Sequence, residues 1–270
     1  MTIDRMVMSV ADTSPGGKCV VELGPGLGAL TGPLMEDYPS MTAVELDPHA
    51  CEELRKSMPS LNLVEGSLLD FDFAAHSEAM GGRLTVISNL PFGITSSALF
   101  HMLDNSEYIQ RAILLMQQEA ADRILCDMSK RKYGTQSIEF ALRSSRIQQI
   151  AKVPSIAFDP PPKNTKCAML LVEFEEEPPM TPFEMKVLRQ TMQGAFDDKG
   201  LPLAATIYKR KALRELVPGI RDYCEGGANW LQKKPSELAP GKWLHAARSL
   251  SIFAGGGGEQ LEEEEEEEVA

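Results

Sequence analysis

The sequence predicts an α/β fold, a parallel sheet covered on both faces, followed by a small helical domain. Three observations point there. Between Lys18 and Phe174 short β-rich runs alternate with helical stretches, the pattern of strands joined by crossover helices. A glycine-rich turn, Gly24 to Gly28, directly follows the first of those runs. Beyond Phe183 the β-rich runs stop and helical spacing takes over.

Seven strands are read in order: 18–23 (KCVVEL), 41–45 (MTAVE), 61–65 (LNLVE), 84–88 (LTVIS), 112–117 (AILLMQ), 146–153 (RIQQIAKV) and 167–174 (CAMLLVEF). Between them, 47–58 reads as a helix with Asp47 as its cap and Pro48 at its first position. Helical spacing also runs through 118–128 (QEAADRILCDM). The segment 175–182 (EEEPPMTP) reads as a linker, and 183–196, 205–216 and 235–250 as the helices of the small domain. The boundaries that follow are a sheet-bearing domain over 1–176, a helical domain over 177–253 and a disordered Gly/Glu-rich tail over 254–270.

Composition narrows the function classes. Of 270 residues 43% are apolar, enough for a sizeable core. The longest apolar runs, such as Ala168 to Val172, are far short of the roughly 20 residues that a membrane helix needs, so no membrane span is expected. The first 18 residues show neither a secretory nor an organellar presequence. Five cysteines, odd in number and without a C-x-x-C pair, read as reduced core thiols of an intracellular protein. The four histidines have no ligand spacing, so no metal is expected. Met102, Met116, Met128 and Met169 read as core filler, and Trp230 and Trp243 as packing anchors.

The formal charge of −12 includes eight glutamates after the glycine run, Glu259 and 262–268; without them it is −4. Positive charge is clustered at Lys130, Arg131 and Lys132, at Lys163 and Lys166, at Lys209, Arg210, Lys211 and Arg214, and at Lys233 and Lys234. Such clusters can meet phosphates even on an acidic protein. Any one of them is more often a solvated face.

Two motifs carry chemistry. In VELGPGLGALT, Gly24, Gly26 and Gly28 let the backbone approach a ligand at the carboxyl end of a strand, and Glu45 closes the next strand where it can accept from ribose hydroxyls. That pair also satisfies the dinucleotide fingerprint, so alone it does not choose between a nicotinamide cofactor and S-adenosylmethionine. Glu22 and Pro25, both usual in methyltransferases, favour the second. The other motif is Asn89-Leu90-Pro91-Phe92, after the fourth strand. As plain structure it is a turn with Phe92 tucked into the core. As chemistry, the Asn89 side-chain oxygen and the Leu90 carbonyl form a pair of acceptors for the two protons of an adenine amine, Pro91 stiffens the turn, and Phe92 stacks on the base.

In order, VELGPGLGALT, AVELD, NLPFGITSSALF, LMQQEAADRI, YGTQS and VPSIAFDPPPK resemble the ribosomal RNA adenine N6,N6-dimethyltransferases of the KsgA kind, over about Val20 to Phe174. The resemblance implies a Rossmann-like class I methyltransferase domain with a small helical RNA-binding domain, monomeric, and S-adenosylmethionine as methyl donor. The implied substrate is two adjacent adenines near the 3′ end of small-subunit rRNA, on RNA or a pre-ribosomal particle. Glu22, Gly24, Gly26, Gly28, Glu45, Ser67 and Asn89 would hold the cofactor, and Phe92 with Phe158 would sandwich the base. Lys130, Arg131, Lys132, Lys163, Lys209 and Arg210 would meet RNA.

The chain departs from the pattern in places. It begins inside the helix that follows the family's basic arm and GQNFL-like lid, and PPPKNTK replaces PPPKVDS. Ser67, in EGSLLDF, stands where the family has the aspartate that holds the cofactor's adenine, and Asp70 is three residues too late for a simple substitution. These departures keep a second reading open, that of a catalytically weak or inactive relative acting as a ribosome-assembly or mitochondrial transcription factor. Mitochondrion, plastid, cytoplasm and nucleolus all stay open.

Overall fold

A computed structural model describes residues 2–128, 130–157 and 166–255. The chain divides into two compact units: Met1–Leu125 with Arg143–Pro178, and Cys126–Leu142 with Pro179–Ala270. Among the described residues no helix is long and apolar enough to cross a membrane.

The first unit is built on β1 (Val20–Leu23), β2 (Thr42–Glu45), β3 (Asn62–Glu65), β4 (Leu84–Asn89), β5 (Ile109–Gln117), β6 (Ser144–Val153) and β7 (Cys167–Phe174). They form one sheet in the order β3-β2-β1-β4-β5-β7-β6. The first five strands run parallel, and β7 is antiparallel to both its neighbours. All seven expected strands are present, and the fold is the Rossmann-like α/β class that the sequence predicts. β1 and β2 are buried along their whole length, whereas the edge strand β3 is largely exposed. Strand order reverses between β1 and β4, which opens a crevice at their carboxyl ends.

Helices α1 (Thr2–Val10), α2 (Thr31–Asp37), α3 (Pro48–Ser57), α4 (Phe73–Met80), α5 (Thr95–Asp104) and α6 (Gln118–Ile124) complete this unit. Asp47 caps α3 as expected, its Oδ1 accepting the His49 N–H at 2.9 Å with Pro48 next to it. The helix expected over 118–128 is shorter: α6 stops at Ile124, and the chain leaves the unit one residue later. Arg83 ties the far end of the sheet together. Its guanidinium donates to the carbonyls of Glu107 (3.0 Å), Ile109 (2.7 Å) and Glu175 (2.7 Å), closing the start of β5 against the end of β7.

The second unit contains α7 (Thr135–Arg143, but for its last residue), α8 (Pro182–Phe196), α9 (Leu203–Thr206), α10 (Lys211–Leu216), α11 (Ile220–Glu225) and α12 (Pro240–Ala254). This corrects the single boundary expected at residue 176, because 126–142 belongs with the C-terminal helices. The physical reason lies in two contacts. Tyr133 Oη donates to the Leu238 carbonyl at 2.7 Å, and Arg189 on α8 grips the Glu139 carboxylate, Nη2 to Oε2 at 2.6 Å and Nε to both oxygens at 3.0 Å. Tyr133 and Ile138 join Leu188, Met192, Ile207 and Trp243 in one core, with Trp243 stacked on Phe196 at 5.6 Å. Trp230 and Trp243 are thus packing anchors.

Three further expectations change. The helix expected over 205–216 is split, since Arg210 takes an extended conformation between a 3-10 turn and α10. Pro240 begins α12, and 235–237 is a separate 3-10 turn. Met128 is exposed, unlike buried Met102, Met116 and Met169. Of the cysteines, all free, Cys126 alone is only half-buried. Residues 256–270, including most of the expected disordered tail, lie outside the described residues.

Two substitutions test these anchors. Arg83→Ala strands several carbonyls and should cost about 2–4 kcal/mol in urea unfolding. Glu139→Gln removes the buried charge that Arg189 grips and should cost about 3 kcal/mol, the range for breaking a buried pair.

Candidate active site

The register places the glycine turn beside the asparagine motif. Leu23, the last residue of β1, pairs with Ser88 of β4, so Gly24 and Asn89 follow one another out of adjacent strands about 4.8 Å apart. Ser88 Oγ donates to the Leu23 carbonyl at 2.6 Å and locks that register.

Gly24, Gly26 and Gly28 have φ of 72°, 57° and 89°, a region side chains rarely adopt. Their reasons differ. A Cβ on Gly28 would lie 2.7 Å from Met58 Cε and 2.9 Å from Leu54 Cδ2, so this glycine lets the turn pack on α3. A Cβ on Gly24 or Gly26 would meet nothing within 4 Å. Bare backbone there faces open space, as a surface for close ligand approach should.

Glu45 shapes this turn. Its Oε2 accepts the Gly26 N–H at 2.9 Å, and its Oε1 accepts the N–H groups of Leu46 and Asp47, both at 2.8 Å. A carboxylate offers roughly four acceptor sites, and the chain itself fills three. The sequence reading, in which Glu45 accepts from both hydroxyls of a ribose, is narrowed: Oε2 retains the capacity to accept one more proton, while Oε1 is taken.

Glu22 sits deeper, 2% exposed, and its Oε2 has no hydrogen-bond partner. Burial pushes its carboxyl up from 4.5 to about 7; the Thr31 hydroxyl nearby lowers it, and the Glu45 charge raises it again. At the tip of β3, Ser67 Oγ accepts the Leu69 N–H at 3.1 Å. Ser67 lines a hollow of about 460 Å³ with Val44, Val64, Gly66, Asp70 and His76. The Asp70 N–H donates to the Ser67 carbonyl at 3.0 Å, so the turn folds Asp70 back to the same hollow despite its distance in sequence.

At the tip of β4 the turn is pinned from below and open above. The Leu90 side chain is buried, and its N–H donates to the Leu115 carbonyl at 2.9 Å. The Pro91 carbonyl accepts the Ile94 N–H (3.2 Å) and the Thr95 hydroxyl (2.9 Å), starting α5. Asn89 is exposed; among the described residues neither its side chain nor the Leu90 carbonyl has a hydrogen-bond partner. Phe92 is 41% exposed, which overturns the reading of a ring tucked into the core.

Two residues the sequence did not single out join this end of the sheet. Leu27, in the glycine turn, is 72% exposed, and Leu46, directly after Glu45, 65%. With Phe92 they leave an apolar rim around polar groups, the mixture that ligand sites favour. No spacing signal marks them, because a leucine in a turn reads as core until its exposure is known. Phe158 and Lys163 lie outside the described residues.

In the second unit the expected RNA contacts divide. Lys130 pairs with Asp127 at 2.7 Å, and Arg131 and Lys132 are exposed. Arg210 is held by Gln190 (2.9 Å), Gln193 and Asp197 (3.5 Å), and so braces α8 more than it faces solvent. Lys209 is exposed, on the rim of a hollow of about 520 Å³ that Lys211 and Asp198 also line.

With this geometry in view, the family described as ribosomal RNA adenine dimethylase matches residues 6–219. The chain belongs to that family. It is 33% identical to ribosomal RNA small subunit methyltransferase A of Leptothrix cholodnii over 236 residues, 87% of this chain and 82% of the relative. The protein of that name from Cupriavidus taiwanensis is 31% identical over 244 residues, 87% of this chain and 83% of the relative. Among solved structures, a dimethyladenosine transferase from Plasmodium falciparum superposes with a TM-score of 0.74 at 20% identity, covering 94% of this chain and 96% of that one. The 23S rRNA methyltransferase ErmE gives 0.62 at 22%, covering 92% and 96%. At those identities the structures show a shared fold.

Glu22 yields a prediction for the cofactor-free protein. Its folded pKa of about 7 stands above the unfolded 4.5, so between those values the native state binds more protons and stability falls as pH rises. The stability difference between wild type and Glu22→Gln should therefore shift by about 3 kcal/mol against the wild type from about pH 4.5 to about pH 8, read in urea melts at each pH.

Proposed function

We propose that this chain uses S-adenosylmethionine to dimethylate the N6 amine of two adjacent adenosines near the 3′ end of small-subunit rRNA, in ribosome biogenesis. The observation that carries this reading is the pair of unpartnered oxygens, Asn89 Oδ1 and the Leu90 carbonyl, one residue past the β1–β4 register that also leads to the bare glycine turn. The names of the relatives, rRNA small subunit methyltransferase A, support the substrate.

The residues present fit the cofactor. The unpartnered Glu22 Oε2 suits an ammonium group, Gly24 and Gly26 leave room for an amino-acid tail, and the open capacity of Glu45 Oε2 suits a ribose hydroxyl. Exposed Leu27 and Leu46 offer apolar cover. When bound, S-adenosylmethionine supplies a methyl group on a sulfonium centre.

An adenine amine is a poor nucleophile because its lone pair is delocalised into the ring. Two acceptors on its two protons favour a pyramidal nitrogen and stabilise the charge that develops there. Asn89 Oδ1 and the Leu90 carbonyl serve as those acceptors, and the buried Leu90 side chain and the α5 turn hold them in place. Phe92 gives the extruded base a stacking face, worth about 1–3 kcal/mol. The methylated ammonium is acidic enough to release its proton to water, so no strong base is needed. After one transfer a single N–H remains, and either oxygen can hold it for the second.

The weak or inactive reading rests on Ser67, a neutral hydroxyl that already accepts from Leu69 and keeps one acceptor position and its own O–H, and on Glu45, three of whose four acceptor positions the chain itself fills. Calorimetry separates the two, since micromolar cofactor affinity supports the enzyme, and no cofactor binding with retained RNA binding supports the factor.

The decisive experiment is transfer of labelled methyl groups to unmodified small-subunit particles, with N6,N6-dimethyladenosine as the expected product; none at saturating cofactor would refute the reading. Asn89→Ala should lower kcat about 10²–10³-fold, the usual cost of losing one transition-state hydrogen-bonding partner. Phe92→Ala should lower kcat/KM about 5–150-fold, matching one lost stack. Both variants should melt like the wild type.

A further inference from the structure

Charge is divided unevenly along this chain. Segments 126–142 and 179–255 carry 15 Lys and Arg against 9 Asp and Glu, net +6, while 1–125 and 143–178 carry 12 against 22, net −10. The remaining −8 is concentrated in Glu259 and the run 262–268.

Many cations of the second unit are already answered within it. Lys130 pairs with Asp127, Arg189 with Glu139, Arg210 with Asp197, Arg221 with Glu225 and Arg248 with Glu184. Lys209 is different: among the described residues it has no carboxylate partner, and its Nζ lies 6.0 Å from the Tyr208 ring centre. Lys211 reaches Glu215 only at 3.8 Å, with both side chains mostly in solvent. Arg214 donates to the Tyr208 and Lys209 carbonyls and is otherwise exposed. These three make a cationic surface without an adequate internal counter-charge.

The fold also fixes where the acidic run starts from. Helix α12 ends at Ala254 with Phe253 packed on Tyr223 of α11, ring centres 5.0 Å apart. The Phe253 ring stands 3.5 Å from where a Cβ on Gly219 would lie. The chain therefore leaves α12 beside Gly219 and Tyr223, at the corner between α10 and α11. The stretch from Gly255 to Glu262 can reach up to roughly 25 Å, at about 3.5 Å per residue, so the tether sets a limited radius within which the glutamates can act.

We propose that the glutamate run 262–268 docks on the Lys209–Lys211–Arg214 surface and competes there with the phosphate backbone of RNA. The competition rests on the RNA reading above; the docking does not. A single exposed ion pair contributes under about 1 kcal/mol. Here seven adjacent carboxylates are tethered at an effective concentration of about millimolar, which makes their sum significant at low salt and weak once the charges are screened. An RNA that makes few phosphate contacts is then held off, whereas one that also fills the methylation site displaces the run.

Docking is tested by zero-length carbodiimide cross-linking of the full chain at low salt, with the linked peptides mapped by mass spectrometry. Links from 262–268 should concentrate on Lys209 and Lys211 and vanish in high salt; links spread over all exposed lysines, Lys56 included, overturn the proposal. Competition is tested by RNA affinity after changing the run to glutamine, Glu262→Gln through Glu268→Gln. Affinity should rise about 3–10-fold at 50 mM salt and match the wild type at high salt. That gain should disappear in the Lys209→Gln, Lys211→Gln background. An equal gain with and without those lysines would mean a general charge effect and overturn the docking. Concentrated cross-links with no RNA binding by either form would instead refute the RNA reading and leave the docking standing. Unchanged cofactor affinity serves as the control for folding.

Discussion

Glu45 accepts N–H groups from two turns at once, Gly26 after β1 and Leu46 with Asp47 after β2, and the candidate site depends on that bracing. The Gly24–Gly26 turn has only the Pro25 ring as a side chain to support it, and an unpaired N–H at the floor of a cleft is costly. One carboxylate answers both needs, drawing the glycine turn toward β2 while the Ser88–Leu23 bond holds β4 on the other side. The same charge also helps to keep the Glu22 carboxyl high. Shape and electrostatics of the cleft therefore share a residue, and a change at Glu45 would disturb the turn before it disturbed any ligand.

The uneven charge follows a chemical logic. S-adenosylmethionine, the methyl donor proposed above, is net cationic, and it would suit a net-negative unit that places the Glu45 carboxylate against its glycine turn. RNA is a polyanion, and that same unit would repel it at long range. Under the proposed function, segments 126–142 and 179–255, net +6 without the glutamates that follow them, would supply the attraction that the first unit lacks. Each ligand thus has a part of the chain with the matching sign, and the overall value of −12 conceals both.

Much of this was legible in the sequence because it rests on local pattern. The seven strands are short, strongly apolar or β-branched, and bounded by turn residues, so tertiary packing only adjusted their ends. The glycine turn and the Asn89 motif were legible because each demands residue types that few other roles require. The dual duty of Glu45 was hidden, since a carboxylate at a strand end looks alike whether it binds a ligand or its own backbone. Asp70 was set aside on spacing, yet a turn at Ser67 returns it to the same hollow. Leu27 and Leu46 were overlooked because exposure is a tertiary property.

The division of the chain was misread for a related reason: helix pattern records that a segment is helical and leaves open which core it joins. The stretch 126–142 follows a strand and a helix of the sheet-bearing unit, and sequence order alone assigns it there. Its apolar residues go elsewhere, Tyr133 and Ile138 into the core with Trp243, and Glu139 onto Arg189. The second unit therefore closes only when segments about fifty residues apart meet, a loop-closure cost that the buried ion pair and the Tyr133–Leu238 bond help to offset. A cut at residue 176 would strand the excursion, leaving Ile138 and Tyr133 without their neighbours and Glu139 without its counter-charge. The small unit is for that reason a second core threaded by the same chain, with three crossings to maintain, and no single bond separates the part that would bind the cofactor from the part that carries the basic surface.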